Sequence, residues 1–549
     1  MRSDPRTGTP IALFIAVFFV AVAAFSPTLS HGFVYDDHRF FEANAALREW
    51  SVLWRAFSDP AVQTADGTHA GLWRPLRTLS FAFDVGVLGG AAWWAHLHNV
   101  LLHGAGSVLV AALLRRTGLG TRSVFVGALV YALHPVQVEC VAWISSRGDV
   151  LAAALLWAAL LLQRPGNAWS SWALGAAALL AKEQALVWPV FAFLFALLAH
   201  EGMRAALRRA VVPAVVTVAF VALRHAILSE PFQQGGVGDG GPGFVELGAM
   251  LAHQVWFSVL PVGAVFDWQM PPPPALVGAL ALLPFGLLWW PATRVPAAWF
   301  LAALVPTLFV QAVIPLNIRT ADRFLLFALP AAALLVARGV ERVPRVVPSA
   351  GIALACLATL TISGERVWAS DSALWSETAE RVPGHWRAES WLGLAATRDG
   401  DVDAAVVHMR RAVEALPQDA KTWFRLGEAV ELQAARADGT DAVTLTRAAR
   451  DAYSAAANRF PRGRQENAAL FGPMASLRAI KLTLVLGDVE TVRDVLVSIL
   501  ERPGPSIPAW GVEGWNRDVE ELAARVEKDI DAERSEPLAP RIRAWRVRP

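Results

Sequence analysis

The sequence predicts an all-α protein: a polytopic membrane domain followed by an α-helical repeat domain. Three observations carry that prediction. Of 549 residues, 55% are hydrophobic and only 17% charged, with a mean hydropathy of +0.41. Soluble domains carry roughly 25% charged residues. Charge is also unevenly spread, with 41 charged residues in 1–364 and 55 in the remaining 185. Finally, the charged part repeats itself at a spacing of 34 residues. A single soluble globule, a disordered chain and a fibre are excluded. A net charge of +2 gives no electrostatic reason for a nucleic-acid partner, so none is expected. Two cysteines, both in apolar stretches, form no disulfide framework. Only four of the 49 basic residues are lysines, a bias that points to a GC-rich, hence bacterial, genome.

Along residues 1–364, eleven apolar windows are long enough to be read as membrane helices. They are 9–29, 96–114, 123–143, 150–163, 168–181, 184–199, 210–223, 275–290, 296–313, 324–337 and 346–363. The first is 21 residues without a charge, enough to span about 30 Å of hydrocarbon. It lacks a small-residue cleavage site and reads as an anchor. A twelfth window, 244–262, reads as re-entrant or interfacial. Alternating the eleven from a cytoplasmic N-terminus places 13 basic residues against three acids inside, as the positive-inside rule requires. The part after the last window then lies outside. In a bacterium this predicts the inner membrane with a periplasmic repeat domain, and in a eukaryote the endoplasmic reticulum membrane.

The outer face collects the chemistry. The first outer loop opens His31-Gly-Phe-Val-Tyr-Asp36-Asp37-His38. Adjacent carboxylates there read either as a solvated turn or as a general base or metal ligand. As exposed loop residues, both aspartates are expected to contribute little to stability. Next come Trp73-Arg74-Pro-Leu-Arg77 and His96-Leu-His98-Asn99. On a helix, His-x-His side chains point apart, a weak metal signature. The third window ends His134-Pro135-Val-Gln-Val-Glu139, where proline interrupts the helix and leaves an acid at the interface. Ser146-Arg147-Gly-Asp149 turns into the fourth window, its ion pair structural or functional.

Lys182, in Ala181-Lys182-Glu183-Gln184, is the one lysine of the membrane part. Windows 168–181, 210–223 and 324–337 are each 14 residues, about 21 Å of helix, and each meets a cation on the outer side (Lys182, Arg224, Arg323). These cations are expected in a depression below the outer surface. They read either as snorkelling side chains or as a floor for a lipid-linked phosphate, joined by Arg319. A carboxylate above a cationic floor suits glycosyl transfer: the cations stabilise a phosphate leaving group and the base deprotonates an incoming hydroxyl.

Residues 365–503 read as a repeat domain. Pro383 and Pro417 are 34 apart, as are Leu392-Gly393 and Leu426-Gly427. That is the period of tetratricopeptide repeats, which stack into α-solenoids and bind peptides or proteins on a concave face. A second unit runs through Ala449, Tyr453, Ala456 and Pro461 after an insertion, and Gly487-Asp-Val echoes Gly400-Asp-Val. Residues 504–549 form a Pro/Arg-rich tail with one amphipathic helix.

The ordered set of motifs resembles the transmembrane and tetratricopeptide-repeat-containing proteins, a GT-C glycosyltransferase branch related to protein O-mannosyltransferases. Besides the segments quoted, Asp322-Arg323-Phe-Leu325 and Asp371-Ser-Ala-Leu-Trp375 belong to it. The resemblance implies a GT-C fold of about eleven helices and inverting transfer of a sugar, mannose by kinship, from a polyprenyl-phosphate donor to a hydroxyl of a protein or glycan. It implies Asp36 or Asp37 as base, with Arg147, Lys182, Arg319 and Arg323 at the donor phosphate. Arg74, His98, His134, Glu139, Asp149 and Glu183 are expected to support them. A divalent cation stays open, and the acceptor is expected on the repeat domain. The chain departs from the family at Gln137, where a second histidine is usual, and at Leu326-Phe327. The competing readings are a non-catalytic membrane-anchored scaffold of tetratricopeptide repeats and a transporter. A transporter would place ion pairs at the midplane and repeat its own topology.

Overall fold

The computed structural model describes residues 11–65, 67, 71–163, 168–228, 243–262, 274–313, 320–459, 466–500 and isolated positions between 517 and 524. Among these the protein is all helical, with no β-strand. It divides into two compact units, 1–374 and 375–549. The tail helix expected in 504–549 falls largely outside the described residues, as do Pro461 and Arg319.

In the first unit, the helices follow the apolar windows in order. They are α1 (Ile11–Phe25), α2 (Val52–Ser58), α3 (Pro75–Gly86), α4 (Ala92–Arg116), α5 (Thr121–Leu133), α6 (Gln137–Ala142), α7 (Arg147–Leu162) and α8 (Ala168–Ala181). Then come α9 (Trp188–Leu198), α10 (Met203–Leu228), α11 (Phe244–Val259), α12 (Pro274–Leu287), α13 (Arg294–Val313), α14 (Leu329–Arg342) and α15 (Val347–Glu365). Five stretches are long and apolar enough to cross a bilayer: Ile11–Ser30, Ala92–Arg116, Ile144–Leu162, Met203–Leu228 and Pro344–Trp368. Shorter apolar helices accompany them. This is a multi-pass membrane protein.

Three segments differ from their sequence reading. Window 210–223, read as a short helix ending at Arg224, is the middle of the 26-residue α10, with Arg224 inside it. The 123–143 window breaks where His134 and Pro135 interrupt it: α5 stops at Leu133 and a separate α6 carries Glu139. The pyrrolidine ring removes a backbone N–H and excludes the preceding turn. His134 holds the break, its Nδ1 accepting from Val136 N–H at 3.3 Å and its Nε2 lying 3.3 Å from Ser258 O. The long first loop is also built. It contains a π-helical turn, His38–Glu42, and the helices α2 and α3, around a core of Phe40, Phe41, Leu47, Val52 and Phe81.

The second unit contains most of α16 (Asp371–Arg381), then α17 (Trp386–Arg398), α18 (Val402–Ala415), α19 (Ala420–Ala434), α20 (Gly439–Arg459), α21 (Glu466–Val485) and α22 (Val489–Leu500). The 34-residue spacing recurs in space. Gly393 faces Met409, and Gly427 faces Tyr453; a Cβ would come within 2.8 Å and 2.7 Å of those side chains. Both glycines permit close helix contact. Gly400 and Gly487 both turn the chain with positive φ (79° and 85°), and the next aspartate caps the following helix through Ala404 N–H and Thr491 N–H.

Candidate functional site

The two neighbouring aspartates have different surroundings. Asp37 is wholly buried, not exposed as its loop position suggested. Its Oδ1 accepts the Ser145 N–H at 2.7 Å and the Ser145 hydroxyl at 2.5 Å, and its Oδ2 accepts Val34 N–H at 3.2 Å. Burial pushes its carboxyl up to about 7, with the neighbouring Asp36 charge adding to the rise and the three hydrogen bonds opposing it. Asp37 is therefore an anchor that ties the first loop to the turn before α7.

Asp36 is partly exposed and sits between two anchors. On its other side, Tyr35 adopts a left-handed backbone (φ 53°), a costly conformation for a bulky side chain. Asp371 Oδ1 accepts the Tyr35 N–H at 2.7 Å, while Asp371 Oδ2 lies 3.0 Å from His38 Nε2. His38 Nδ1 in turn lies 2.5 Å from Glu42 Oε2. The Asp36 carbonyl begins the π-helical turn by accepting from Arg39 and Phe40 N–H.

Lys182 and Asp149 form a second centre. Helix α8 ends at Ala181, and Lys182 continues extended (φ −158°, ψ 138°). Its Nζ donates to Asp149 Oδ2 at 2.7 Å, an oxygen that also accepts the Ser146 hydroxyl at 2.8 Å. Asp149 sits in the first turn of α7, where a carboxylate is favoured by the helix dipole. Gly148 makes the approach possible: a Cβ there would lie 2.9 Å from Ala181 O, 3.5 Å from Lys182 Cδ and 3.6 Å from Arg77 Cδ.

Around this pair gather further cations. Proline at the first position of α3 starts that helix and places Arg74 at its N-cap. Arg74 Nε donates to Glu183 Oε2 at 2.9 Å, and Arg224 Nε lies 3.8 Å from Glu183 Oε1. Arg77, 1% exposed, lies over the Phe40 ring at 4.7 Å and within electrostatic reach of Asp36, Asp149 and Glu183. Burial, and then Arg74, lower its pKa. Arg323 pairs with Glu139 through backbone and guanidinium and lies over the Trp143 ring at 5.4 Å. Lys182, Arg224 and Arg323 do gather in one region, Lys182 within electrostatic reach of Arg74, Asp149 and Arg323, and Glu183 within reach of Arg74, Arg224 and Lys182.

Arg147 does not share that space. It is 0% exposed. Nε donates to Asn99 Oδ1 at 2.7 Å, one terminal nitrogen to Asp84 Oδ2 at 2.5 Å and the other to Ala95 O at 2.7 Å. His98 Nδ1 lies 2.8 Å from the other Asp84 oxygen. Arg147 and His98 thus form a network around Asp84 that joins α3, α4 and α7. Asp84 and Ser145 were not singled out in the sequence, and Asn99 and Asp371 stood in its motifs without an assigned role. An isolated acid inside the apolar run Phe81-Ala-Phe-Asp84-Val was the available signal for the first. Among the described residues no group of three or more His, Cys, Asp or Glu side chains converges on a metal-sized site.

Fold and site together define a multi-pass helical membrane protein with a rigidly held carboxylate beside a buried cluster of cations. No protein-family model and no solved structure matches the chain. Among curated proteins, it is 36% identical over 137 residues to the Drosophila melanogaster protein O-mannosyl-transferase Tmtc2, covering 24% of this chain and 14% of that protein. It is 34% identical over 148 residues to human TMTC2 (26% and 17%) and 32% over 162 residues to mouse TMTC1 (29% and 17%). The chain is a relative of the TMTC protein O-mannosyl-transferases, and the matches span about one sixth of those proteins' length.

Proposed function

We propose that the protein is a GT-C-type membrane glycosyltransferase. It moves a sugar, mannose by kinship, from a polyprenyl-phosphate donor to a hydroxyl of a protein or glycan on the outer face. The acceptor oxygen attacks the anomeric carbon from the side opposite the phosphate, so configuration inverts. The C–O bond to phosphate breaks, polyprenyl phosphate leaves, and the hydroxyl proton passes to Asp36. One base suffices for this displacement. Arg74, Lys182, Arg224 and Arg323 offset the charge that develops on the leaving phosphate. Four cations against Asp149, Glu139 and Glu183 leave one positive charge, which matches the single negative charge of the donor's phosphodiester. In this reading Asp37 and Arg147 are framework, and no step runs through a metal.

The observation that carries the proposal is the fixed position of Asp36, between an anchored Asp37 and a strained Tyr35, within electrostatic reach of Arg77 in that cluster. Likeness to proteins named O-mannosyl-transferases adds to it. About eleven crossings, a cytoplasmic N-terminus and a tetratricopeptide solenoid outside complete the reading. The repeated glycine contacts at 34-residue spacing support the solenoid. The solenoid is the natural holder of a protein acceptor.

The test is turnover by the purified full chain in nanodiscs, supplied with radiolabelled polyprenyl-phosphate mannose and a membrane-protein extract as acceptor. Acceptor-dependent release of polyprenyl phosphate is expected. Donor neither bound nor consumed, with partners still retained by the second unit, would favour the scaffold.

A further inference from the structure

Helix α2 in the first loop carries an apolar face that nothing in the described structure covers. Trp50, just before it, is 83% exposed, and Leu53, Trp54 and Phe57 are 50%, 62% and 38% exposed. On another side, Val52 is buried in the loop core, and Ala56 is buried as well. With 100° between successive residues, the helix has three faces. Val52 and Ala56 point inward, Leu53, Trp54 and Phe57 form the second face, and Ser51, Arg55 and Ser58 the third. Soluble surfaces rarely gather two tryptophans, a leucine and a phenylalanine in one exposed patch, and such a patch marks an interaction site.

The anchoring of the loop indicates the occupant. The loop is tethered at both ends to long apolar stretches, Ile11–Ser30 and Ala92–Arg116, so it cannot leave the bilayer surface. The second stretch begins with Trp93 and Trp94, whose rings stack at 3.8 Å, with Trp93 43% exposed. Tryptophans at a helix end mark headgroup depth. The sole cation of α2 is already neutralised: Arg55 donates to Asp59 at 2.9 Å and 3.2 Å and to Glu49 at 3.2 Å. The face therefore offers apolar and aromatic surface without a net positive charge.

We infer that α2 is an interfacial helix whose Leu53, Trp54 and Phe57 insert between the lipids of the bilayer face on which the loop emerges. It fixes the depth of the loop that carries Asp36. Its lipid partner is recognised by acyl and glycerol surface rather than by headgroup charge, so insertion is independent of anionic lipid and of salt. The inference needs only a multi-pass chain and stands or falls separately from the proposed chemistry.

Site-directed spin labelling of the full chain tests it. The background is Cys356→Ser, since Cys356 is exposed and Cys140 buried. Labels at Trp54→Cys and Phe57→Cys are compared with labels at Ser51→Cys and Ser58→Cys in phosphatidylcholine nanodiscs. The first pair should relax with oxygen and be shielded from a water-soluble nickel chelate, and the second pair should show the reverse, at low and high salt alike. Equal access of the chelate to all four would overturn the inference by placing the face in water. Labels at 54 and 57 immobilised and shielded from both reagents would overturn it in favour of a protein partner or a second copy.

Discussion

Asp371 accepts the backbone N–H of Tyr35 at 2.7 Å, joining the first loop to the segment after α15 across 336 positions of chain. The contact holds a tyrosine in a left-handed conformation one residue before the proposed base. Asp371→Ala should therefore lower turnover more than it lowers melting temperature, with the donor concentration for half-maximal rate little changed. Loss of Asp371 should free the loop, read as greater amide exchange over 33–39. An unchanged exchange rate would remove Asp371 from the account.

Asp37 makes the stability of the protein depend on pH. Its carboxyl rises from 3.8 to about 7 on folding. A raised carboxyl contributes stability that is complete below about pH 4 and lost as pH climbs through 7. The melting temperature of the detergent-solubilised chain should fall between about pH 4 and 7 in part because of this group. Asp37→Asn should be less stable near pH 5 and lack that part of the fall. Ser145→Ala, which deletes one of the three hydrogen bonds, should cost about 1.5–3 kcal/mol.

Arg147 and Lys182 should separate. Removing Arg147 strands the buried Asp84 carboxylate, a loss of about 3–5 kcal/mol, so Arg147→Ala should cut folded yield. Lys182→Ala leaves a more accessible centre with Arg74, Arg224 and Arg323 nearby. It should weaken donor binding at least tenfold with a smaller loss of yield. Equal losses of yield in the two variants would make Lys182 a framework residue.

Gly148→Ala tests the close approach of α7 to the end of α8. Its Cβ would meet the Ala181 carbonyl at 2.9 Å, a backbone atom that cannot rotate away. A cost of about 1–3 kcal/mol is expected from overpacking. The same shift should displace Lys182 and Arg77, so turnover should fall as well, measured beside the melting temperature.

Much of this was legible in the sequence, for identifiable reasons. Apolar windows report helices because a membrane helix must satisfy its backbone internally, and α4, α7, α10 and α15 lie where the windows do. The repeat spacing reported glycines facing Met409 and Tyr453, because close helix contact needs them at fixed intervals. Lys182, Arg224 and Arg323 do gather, but not for the expected reason of three short helices: α10 is 26 residues long with Arg224 inside it, and Arg323 stands in a turn before α14. What stayed hidden were partnerships between distant segments. Nothing local distinguishes Asp36 from Asp37; Ser145 does, 108 positions away. Nothing local shows that Arg147 is sealed by Asp84, Asn99 and the Ala95 carbonyl. The helices inside 30–94 were missed because they are too short to stand out as apolar windows, and many of their apolar residues serve a small core of their own.

The central claim is that Asp36 removes the acceptor proton. The most direct measurement is polyprenyl-phosphate release by purified Asp36→Asn beside the parent in the same nanodiscs, with melting temperature and donor affinity determined in parallel. The account predicts turnover lower by about 10²–10⁴, with folding and donor binding close to parental. Parental turnover by a folded Asp36→Asn chain would contradict it.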